Sequence, residues 1–310
     1  MRIAVASGKG GTGKTTVAVS LALSIASKRL SVKAAKRLSV KASKRLTEAN
    51  AETLGRYDAT TLFLDCDVEE PNAHLFLKPT IEHREEVGIL IPQVDEAKCT
   101  YCGRCAEVCQ YHAIAVLPKK VLIFPELCHG CGSCALECPE GAITEVFNPI
   151  GVIEEGTAGP IAFAHGILNV GEPMATPIIR QLKRRVRGFA GTIILDAPPG
   201  TSCPVVETMH GADFVLLVTE PTPFGLHDLK LAVEVAKELD IPAGVIINRE
   251  GIGDERVEDY CAEAGIPILM RIPFDRGIAE AYSRGIPLVE ALPEYKGKFR
   301  ELYERIAEVR

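Results

Sequence analysis

The stretch Gly8-Lys9-Gly10-Gly11-Thr12-Gly13-Lys14-Thr15 decides the fold of this chain. It follows a short apolar strand segment at residues 2–6 and fits the pattern G-x-x-x-x-G-K-[ST], with a helix expected to begin near Lys14. In such a loop the glycines let backbone N–H groups turn toward phosphate oxygens, and the helix N-terminus favours anions. Lys14 adds charge at the β- and γ-phosphates, and Thr15 offers a hydroxyl to Mg²⁺. The predicted nucleotide site comprises Gly8, Lys9, Gly10, Gly11, Thr12, Gly13, Lys14, Thr15 and Thr16.

Apolar strand segments recur on both sides of a cysteine-rich interruption. Continuous apolar strands that alternate with helices indicate a mostly parallel sheet with helices on both faces, the α/β class. The predicted organisation is a discontinuous nucleotide-binding domain at 1–92 plus 149–310, with a small α+β domain inserted at 93–148. Strands are predicted at 62–65, 192–196, 214–218, 244–248 and 268–272, and helices near 225–239 and from about Asp254.

Eight of the eleven cysteines lie within the predicted insertion. They form the run Cys-x2-Cys-x2-Cys-x3-Cys twice, which is the run of bacterial two-cluster ferredoxins, where the fourth cysteine of each run serves the other cluster. Two zinc sites are the competing interpretation, but a third and fourth cysteine at ferredoxin offsets favour two [4Fe–4S] clusters. The predicted ligands are Cys99, Cys102, Cys105 and Cys138 for the first cluster, and Cys109, Cys128, Cys131 and Cys134 for the second.

Lys9 gives the loop a more specific character, because Lys9 to Thr15 resembles the deviant Walker A signature K-G-G-x-G-K-T of the MinD/ParA ATPases. In that family the first lysine reaches the partner's nucleotide, which implies an ATP-dependent homodimer with slow hydrolysis. Asp67 resembles the switch I acid that positions the attacking water, and Asp196 the Walker B acid near Mg²⁺. Asn248 resembles the adenine-reading asparagine. The resemblance thus implies a catalytic set of Lys9, Lys14, Asp67 and Asp196, with ATP and Mg²⁺ as cofactors.

The remaining cysteines, Cys66, Cys203 and Cys261, are expected to be small buried side chains. Cys203 has a second interpretation. It follows the segment from Asp196 to Gly200, after which the nitrogenase iron protein, a relative of this ATPase class, carries a cluster ligand. Both interpretations of Cys203 stay open from the sequence.

The combination of motifs resembles MinD-superfamily ATPases with an inserted ferredoxin domain. An ATP-dependent factor in iron–sulfur or metallocofactor assembly is the first expectation, and ATP-gated electron transfer is the alternative. Either function implies a redox or cluster-acceptor partner protein. A MinD-like positioning ATPase is less favoured, because the C-terminal segment 299–306 balances acids and bases and is expected to pack on the core rather than on a membrane.

Charge and hydropathy bound the other possibilities. The net charge is −6, which gives bulk nucleic-acid binding no support, and no apolar run reaches the roughly 18 residues of a membrane span. The first residues leave no room for a signal peptide, so a cytoplasmic location is expected.

A basic eight-residue repeat at 27–34, 35–42 and 43–50 is best explained as an extension of a surface helix or loop, with a patch for nucleic acid or an anionic membrane as the alternative. It also lengthens the interval between Lys14 and Asp67 to more than twice what is usual in the resembled family.

The position of the insertion suggests how the two parts communicate. Both of its ends join the nucleotide-binding domain between Asp67 and Asp196, the acids assigned to the two nucleotide-sensing switches. Nucleotide state moves such switches through contacts with the γ-phosphate and Mg²⁺. We therefore expect ATP to alter either the reduction potential or the release of the clusters.

Overall fold

The computed structural model describes residues 1–36, 59–186 and 188–309, with the backbone alone at 27–36. Strands and helices alternate over most of this range, as the apolar pattern predicts. The strands are β1 (Arg2–Ala6), β2 (Thr61–Asp65), β3 (Thr80–Val94), β4 (Ile114–Leu117), β5 (Lys120–Ile123), β6 (Ile143–Ala158), β7 (Ile161–Leu168), β8 (Thr192–Asp196), β9 (Phe214–Thr219), β10 (Ala243–Glu250) and β11 (Ile268–Pro273). The helices are α1 (Lys14–Lys36), α2 (Ala73–Leu77), α3 (Arg104–Glu107), α4 (Ser133–Leu136), α5 (Thr176–Arg184), α6 (Cys203–Met209), α7 (Pro223–Glu238), α8 (Arg256–Ala264), α9 (Arg276–Ser283), α10 (Leu288–Ala291) and α11 (Tyr295–Val309).

Nine of these strands form one sheet in the order β11-β10-β9-β1-β8-β2-β7-β6-β3. Neighbouring strands from β11 through β7 pair in parallel. The last two strands pair antiparallel, β6 with β7 and β3 with β6. The central strands β2, β8 and β9 are buried along their whole length, which explains why they read as continuous apolar runs rather than alternating ones. The prediction of a mostly parallel α/β sheet is confirmed.

Hydrophobic clusters cover both faces of the sheet. Ile3 and Val5 of β1 belong to the cluster that contains Phe299 of α11, whereas Ala4 and Ala6 belong to the cluster on the opposite face. Each fully buried Ile or Phe side chain contributes about 1.5–3 kcal/mol through removal from water. The helix α11 buries Tyr295, Phe299, Leu302 and Ile306, so the expectation that this helix packs on the core is confirmed.

The strands β3 and β6 form a long antiparallel ribbon at one edge of the sheet. It begins where Thr80 pairs with Thr157 and ends where Val94 pairs with Ile143. The cysteine-rich segment, residues 95–142, lies at the far end of this ribbon and contains α3, α4 and the β4–β5 hairpin. We call it the module. The boundaries predicted at 93 and 148 fall inside β3 and β6, because the apolar pattern does not mark where a continuous ribbon leaves one domain for another.

Two expectations concern segments that the structure describes only in part. The first basic repeat, 27–34, lies within α1, while most of 35–50 is outside the described residues, so the assignment of this block stays a prediction. Within the described part of the chain, every helix is too short or too polar to cross a bilayer.

Candidate nucleotide and cluster sites

The loop between β1 and α1 has the backbone shape that phosphate binding needs. Gly11 and Gly13 adopt φ values of 77° and 94°, in the left-handed region that glycine tolerates. A Cβ atom on Gly13 would lie 2.4 Å from Nδ2 of Asn248, and one on Gly8 would lie 2.2 Å from the carbonyl oxygen of Asp228. Gly11 is therefore required by conformation, Gly8 by close packing, and Gly13 by both.

The two strands next to the loop bring a pair of aspartates together. Asp65 of β2 and Asp196 of β8 are register partners on adjacent parallel strands, and both are fully buried. Asp65 accepts backbone N–H groups from Asp67, Asn72 and Ala73 at 3.0–3.1 Å, so its role is to hold the following segment. Burial raises the pKa of both carboxyls, and the charge of Asp196 raises the pKa of Asp65 further.

Asp196 has the features of a cation ligand. Both of its carboxylate oxygens are buried and make no hydrogen bond of ordinary geometry with the described residues. Lys14 and the hydroxyl of Thr15 lie near enough to favour its charged form. An ionised carboxylate without hydrogen-bond partners is costly, and a divalent cation would supply what is missing. Asp196 and Thr15 therefore fit Mg²⁺.

Asp67 lies just beyond the end of β2 and is only partly buried. Burial raises the pKa of its carboxyl to about 6, and the positive charge of Lys14 opposes that rise. A carboxylate with a pKa of about 6 is ionised at neutral pH and basic enough to accept a proton from water.

Lys9 and Asn248 contact other parts of the same subunit. Nζ of Lys9 donates to Oε2 of Glu220 at 3.1 Å, and Arg249 forms a short ion pair with the other oxygen of Glu220. Nδ2 of Asn248 donates to the carbonyl oxygen of Thr12 at 2.7 Å. Glu220 was not anticipated from the sequence, although its position directly after the apolar strand β9 is the kind that carries functional side chains in parallel sheets.

The eight cysteines of the module line two separate cavities. Each cavity takes three cysteines from one run and the fourth from the other, which is the exchange that the ferredoxin spacing predicts. Cys99, Cys102, Cys105 and Cys138 line the first cavity. Cys109, Cys128, Cys131 and Cys134 line the second.

The backbone around these cavities fits a cluster. Gly103, Gly130 and Gly132 have φ values of 85°, 63° and 76°, which bring the backbone around the rim. Two backbone N–H groups also donate to sulfur. The N–H of Ala113 donates to Sγ of Cys109, and the N–H of Ala142 donates to Sγ of Cys138, both at 3.3 Å. Such N–H···S contacts tune iron–sulfur clusters.

The three cysteines outside the module differ from one another. Cys66 and Cys261 are buried, as predicted. The prediction of burial is wrong for Cys203, which is exposed as the first residue of α6. Its neighbour Val205 packs in the core, so burial in this turn is limited to the other side of the helix.

The phosphate-binding loop on a parallel sheet, with a buried acid beside it, defines a P-loop nucleotide-binding protein. Residues 3–288 match the family described as the CobQ/CobB/MinD/ParA nucleotide binding domain, and the chain belongs to that family. The chain is 31% identical over 287 residues to an uncharacterized protein of Methanocaldococcus jannaschii, covering 92% of this chain and 90% of that protein.

The chain also resembles other relatives and solved structures. An iron-sulfur cluster carrier protein of M. jannaschii is 30% identical over 153 residues, which cover 44% of this chain and 53% of the carrier. The solved cell division ATPase MinD of Pyrococcus furiosus superposes with a TM-score of 0.54 at 21% identity, covering 100% of this chain and 99% of that structure. The septum site-determining protein MinD of Pyrococcus horikoshii with Mg-ADP gives 0.53 at 20% identity, covering 98% and 95%. At these identities the structural likeness establishes the fold.

Proposed function

We propose that this protein is an ATP-hydrolysing iron–sulfur protein that serves as an ATP-dependent factor in iron–sulfur or metallocofactor assembly. The observation that carries the proposal is the sorting of eight cysteines into two cavities, each lined by four thiols drawn from both runs. A nucleotide site stands in the same chain, and the two are joined by a continuous ribbon. An assembly factor needs both a place for iron–sulfur clusters and an energy source, and this chain offers both.

The nucleotide half uses the side chains at the ends of β1, β2, β8 and β10. Lys14 binds the β- and γ-phosphates, while Thr15 and Asp196 would hold Mg²⁺. Asp67 orients the attacking water. Asn248 hydrogen-bonds the adenine base after its side chain releases the carbonyl oxygen of Thr12. Bound Mg²⁺ supplies charge neutralisation at the phosphates.

Lys9 completes the site across a dimer in this proposal. Its contact with the partner subunit's phosphates would be a charge-assisted one that a subunit cannot make to its own nucleotide. Hydrolysis is therefore expected to be slow in the monomer and to depend on an ATP-induced homodimer.

In the module, each four-thiol set would hold one [4Fe–4S] cluster, and a bound cluster supplies one-electron redox chemistry or a transferable iron–sulfur unit. The presence of four cysteines around each cavity favours ATP-gated electron transfer, since a relay needs two stable clusters. The similarity of 44% of this chain to an iron-sulfur cluster carrier protein favours the assembly function. We rank assembly first and ATP-gated electron transfer second.

The test is anaerobic purification followed by iron and sulfide analysis and a cluster-transfer assay onto an apo acceptor, with and without Mg-ATP. We expect about eight iron atoms per chain, as two [4Fe–4S] clusters require. Assembly predicts ATP-dependent transfer to the acceptor. Retention of both clusters together with ATP-dependent reduction of an acceptor would favour the electron-transfer function.

In the same test, the rate of ATP hydrolysis by Lys14→Ala checks the nucleotide site. Loss of a single preorganised donor to developing charge lowers turnover by about a hundredfold or more. Lys230→Ala, on the surface of α7, is the matched control and should hydrolyse ATP like the wild type. If Lys14→Ala hydrolyses ATP at the wild-type rate, the loop is not the catalytic site.

A further inference from the structure

A row of polar side chains crosses the sheet at one register level. Asp196 of β8 is the partner of Asp65 of β2, and Asp65 is the partner of His165 of β7. His165 is the partner of Glu154 of β6, and Glu154 is the partner of Arg84 of β3. Laterally paired residues of a sheet point to the same face. We call these five residues the polar row. It runs from the nucleotide site to the strands that carry the module.

The outer half of the row is held by direct contacts. Nε2 of His165 lies 2.9 Å from Oε2 of Glu154, and Nη1 of Arg84 donates to Oε1 of the same carboxylate at 2.7 Å. The His165 side chain is 4% exposed and the Glu154 side chain 15%. Burial lowers the pKa of His165, so a neutral ring that donates from Nε2 to the carboxylate is the arrangement that these contacts support. Hydrogen bonds to a charged, half-buried carboxylate are stronger than neutral ones.

The inner half of the row is tied to α2. Asp65 accepts the N–H groups of Asn72 and Ala73 at 3.1 and 3.0 Å, at the start of that helix. His74, the next residue of α2, sets its ring edge-on to the ring of His165, with centroids 5.4 Å apart. The segment between Asp65 and α2 contains Asp67. A movement of Asp67 on nucleotide binding would therefore shift α2, and the contact between His74 and His165 would pass this shift to His165.

The far side of Glu154 leads to the module. Arg84 and Glu154 face each other in the ribbon, whose two strands continue in register to Val94 and Ile143. A pair of hydrogen-bonded strands moves as one body, so a change of the contact at Glu154 changes the angle at which the ribbon leaves the sheet. The module at the far end of the ribbon would then change its orientation relative to the sheet.

We propose that His165 and Glu154 are positioning residues that link the Asp67 segment to the base of the ribbon, so that the nucleotide state sets the exposure of the clusters. This inference rests on the proposed function, because its readout requires clusters bound in the module. It adds residues and a route that the functional proposal does not contain.

The experiment measures the rate of iron release from the cluster-loaded, full-length protein to a ferrous chelator, in Mg-ATP and in Mg-ADP. The wild-type rates are expected to differ by about fivefold, the lower end of common allosteric couplings. In Glu154→Gln and in Arg84→Gln the two rates should become equal within about twofold, the scale on which mutations along a coupling route act. The KM for ATP and the release rate in Mg-ADP should stay at their wild-type values. A purely structural defect would change that release rate.

Glu82→Gln is the matched control, because Glu82 accepts from Thr157 in the same ribbon, at 3.1 Å, but lies outside the row. It should keep the wild-type ratio. The inference is overturned if Glu154→Gln and Arg84→Gln keep the wild-type ratio. It is also overturned if the wild type hydrolyses ATP and holds its clusters but releases iron equally in both nucleotides. In both cases the proposed function stands, whereas a protein without ATP hydrolysis or clusters refutes the function itself.

Discussion

Nζ of Lys9 lies 3.1 Å from Oε2 of Glu220 in its own subunit. The Glu220 side chain is only 6% exposed, whereas the Lys9 side chain is 31% exposed. Glu220 therefore stays fixed while Lys9 can swing outward. In the proposed dimer Lys9 must leave this contact to reach the partner's phosphates, so the ion pair competes with dimerisation.

The first prediction is that Glu220→Gln strengthens the ATP-dependent dimer. A partly exposed ion pair is worth about 1 kcal/mol or less. Two such pairs break when the symmetric dimer forms, so their loss lowers the dimer Kd by up to about 30-fold. Sedimentation at several protein concentrations in Mg-ATP measures this. Glu250→Gln, which removes an exposed contact to Arg271 on the neighbouring strand, is the control and should leave the Kd unchanged. An unchanged or higher Kd in Glu220→Gln would show that the ion pair does not restrain Lys9.

The phosphate loop and the cysteine sets could be predicted because each consists of a short run of residues with a characteristic spacing. Gly8 to Thr15 is one continuous segment, and the spacing of Cys99 to Cys109 repeats in Cys128 to Cys138. The contact between Lys9 and Glu220 joins positions 211 residues apart, and no local pattern carries such a pairing. The polar row depends on strand order and register, which apolar runs do not specify.

The limits of the module could not be predicted for a related reason. The residues at 89–94 alternate apolar and polar character only weakly, so nothing marks them as one strand, and the predicted boundary falls at 93. In the fold they extend β3 beyond the sheet, and each faces a residue of β6. A ribbon that leaves its sheet obtains its stability from the opposite strand, which lies some fifty residues later in the sequence.

The second prediction concerns pH. Burial raises the pKa of Asp67 to about 6, well above the ordinary value of 3.8, and only the ionised carboxylate can take a proton from the attacking water. The kcat/KM for ATP, which reports groups of the free enzyme, should therefore rise with pH up to about 6 and level off above it. Steady-state hydrolysis between about pH 5 and 8, a range that brackets this value, checks this. Because a terminal phosphate also titrates near about 6, the two protonation forms of ATP are fitted as separate substrates.

A neighbouring charge gives the control for this assignment. Glu69 is exposed, and its negative charge helps to raise the pKa of Asp67. Glu69→Gln should move the midpoint of the profile to lower pH without loss of the plateau rate. A midpoint that does not respond to Glu69→Gln would assign the titration to another group.

The third prediction tests how the cysteines pair. Cys99 and Cys138 line one cavity, whereas Cys109 lines the other. The double variant Cys99→Ser with Cys138→Ser should lose one cluster and keep about half of the iron and sulfide. The double variant Cys99→Ser with Cys109→Ser should perturb both clusters and fall well below half. If each run served its own cluster, these two outcomes would be exchanged.

The fourth prediction is that the nucleotide-binding domain folds without the module when the cut respects the ribbon. The backbone N–H of Asp95 donates to the carbonyl of Ala142 at 2.7 Å, which continues the ladder of β3 and β6 past Val94 and Ile143. Replacing residues 96–141 by Asn-Gly should close this end with a two-residue turn. The variant should unfold in one cooperative transition and bind Mg-ATP.

A deletion of 93–148 is the matched comparison, because it follows the boundaries that the sequence predicts. Gly88 pairs with Pro149, so this deletion leaves residues 89–92, Ile-Leu-Ile-Pro, as a loop between them. The loop lacks the glycine or asparagine that tight turns require, and it exposes an apolar run that favours aggregation. We expect lower soluble yield and a lower Tm than for the Asn-Gly variant. Equal Tm values and yields would mean that the ribbon beyond Gly88 adds nothing to the stability of the nucleotide-binding domain.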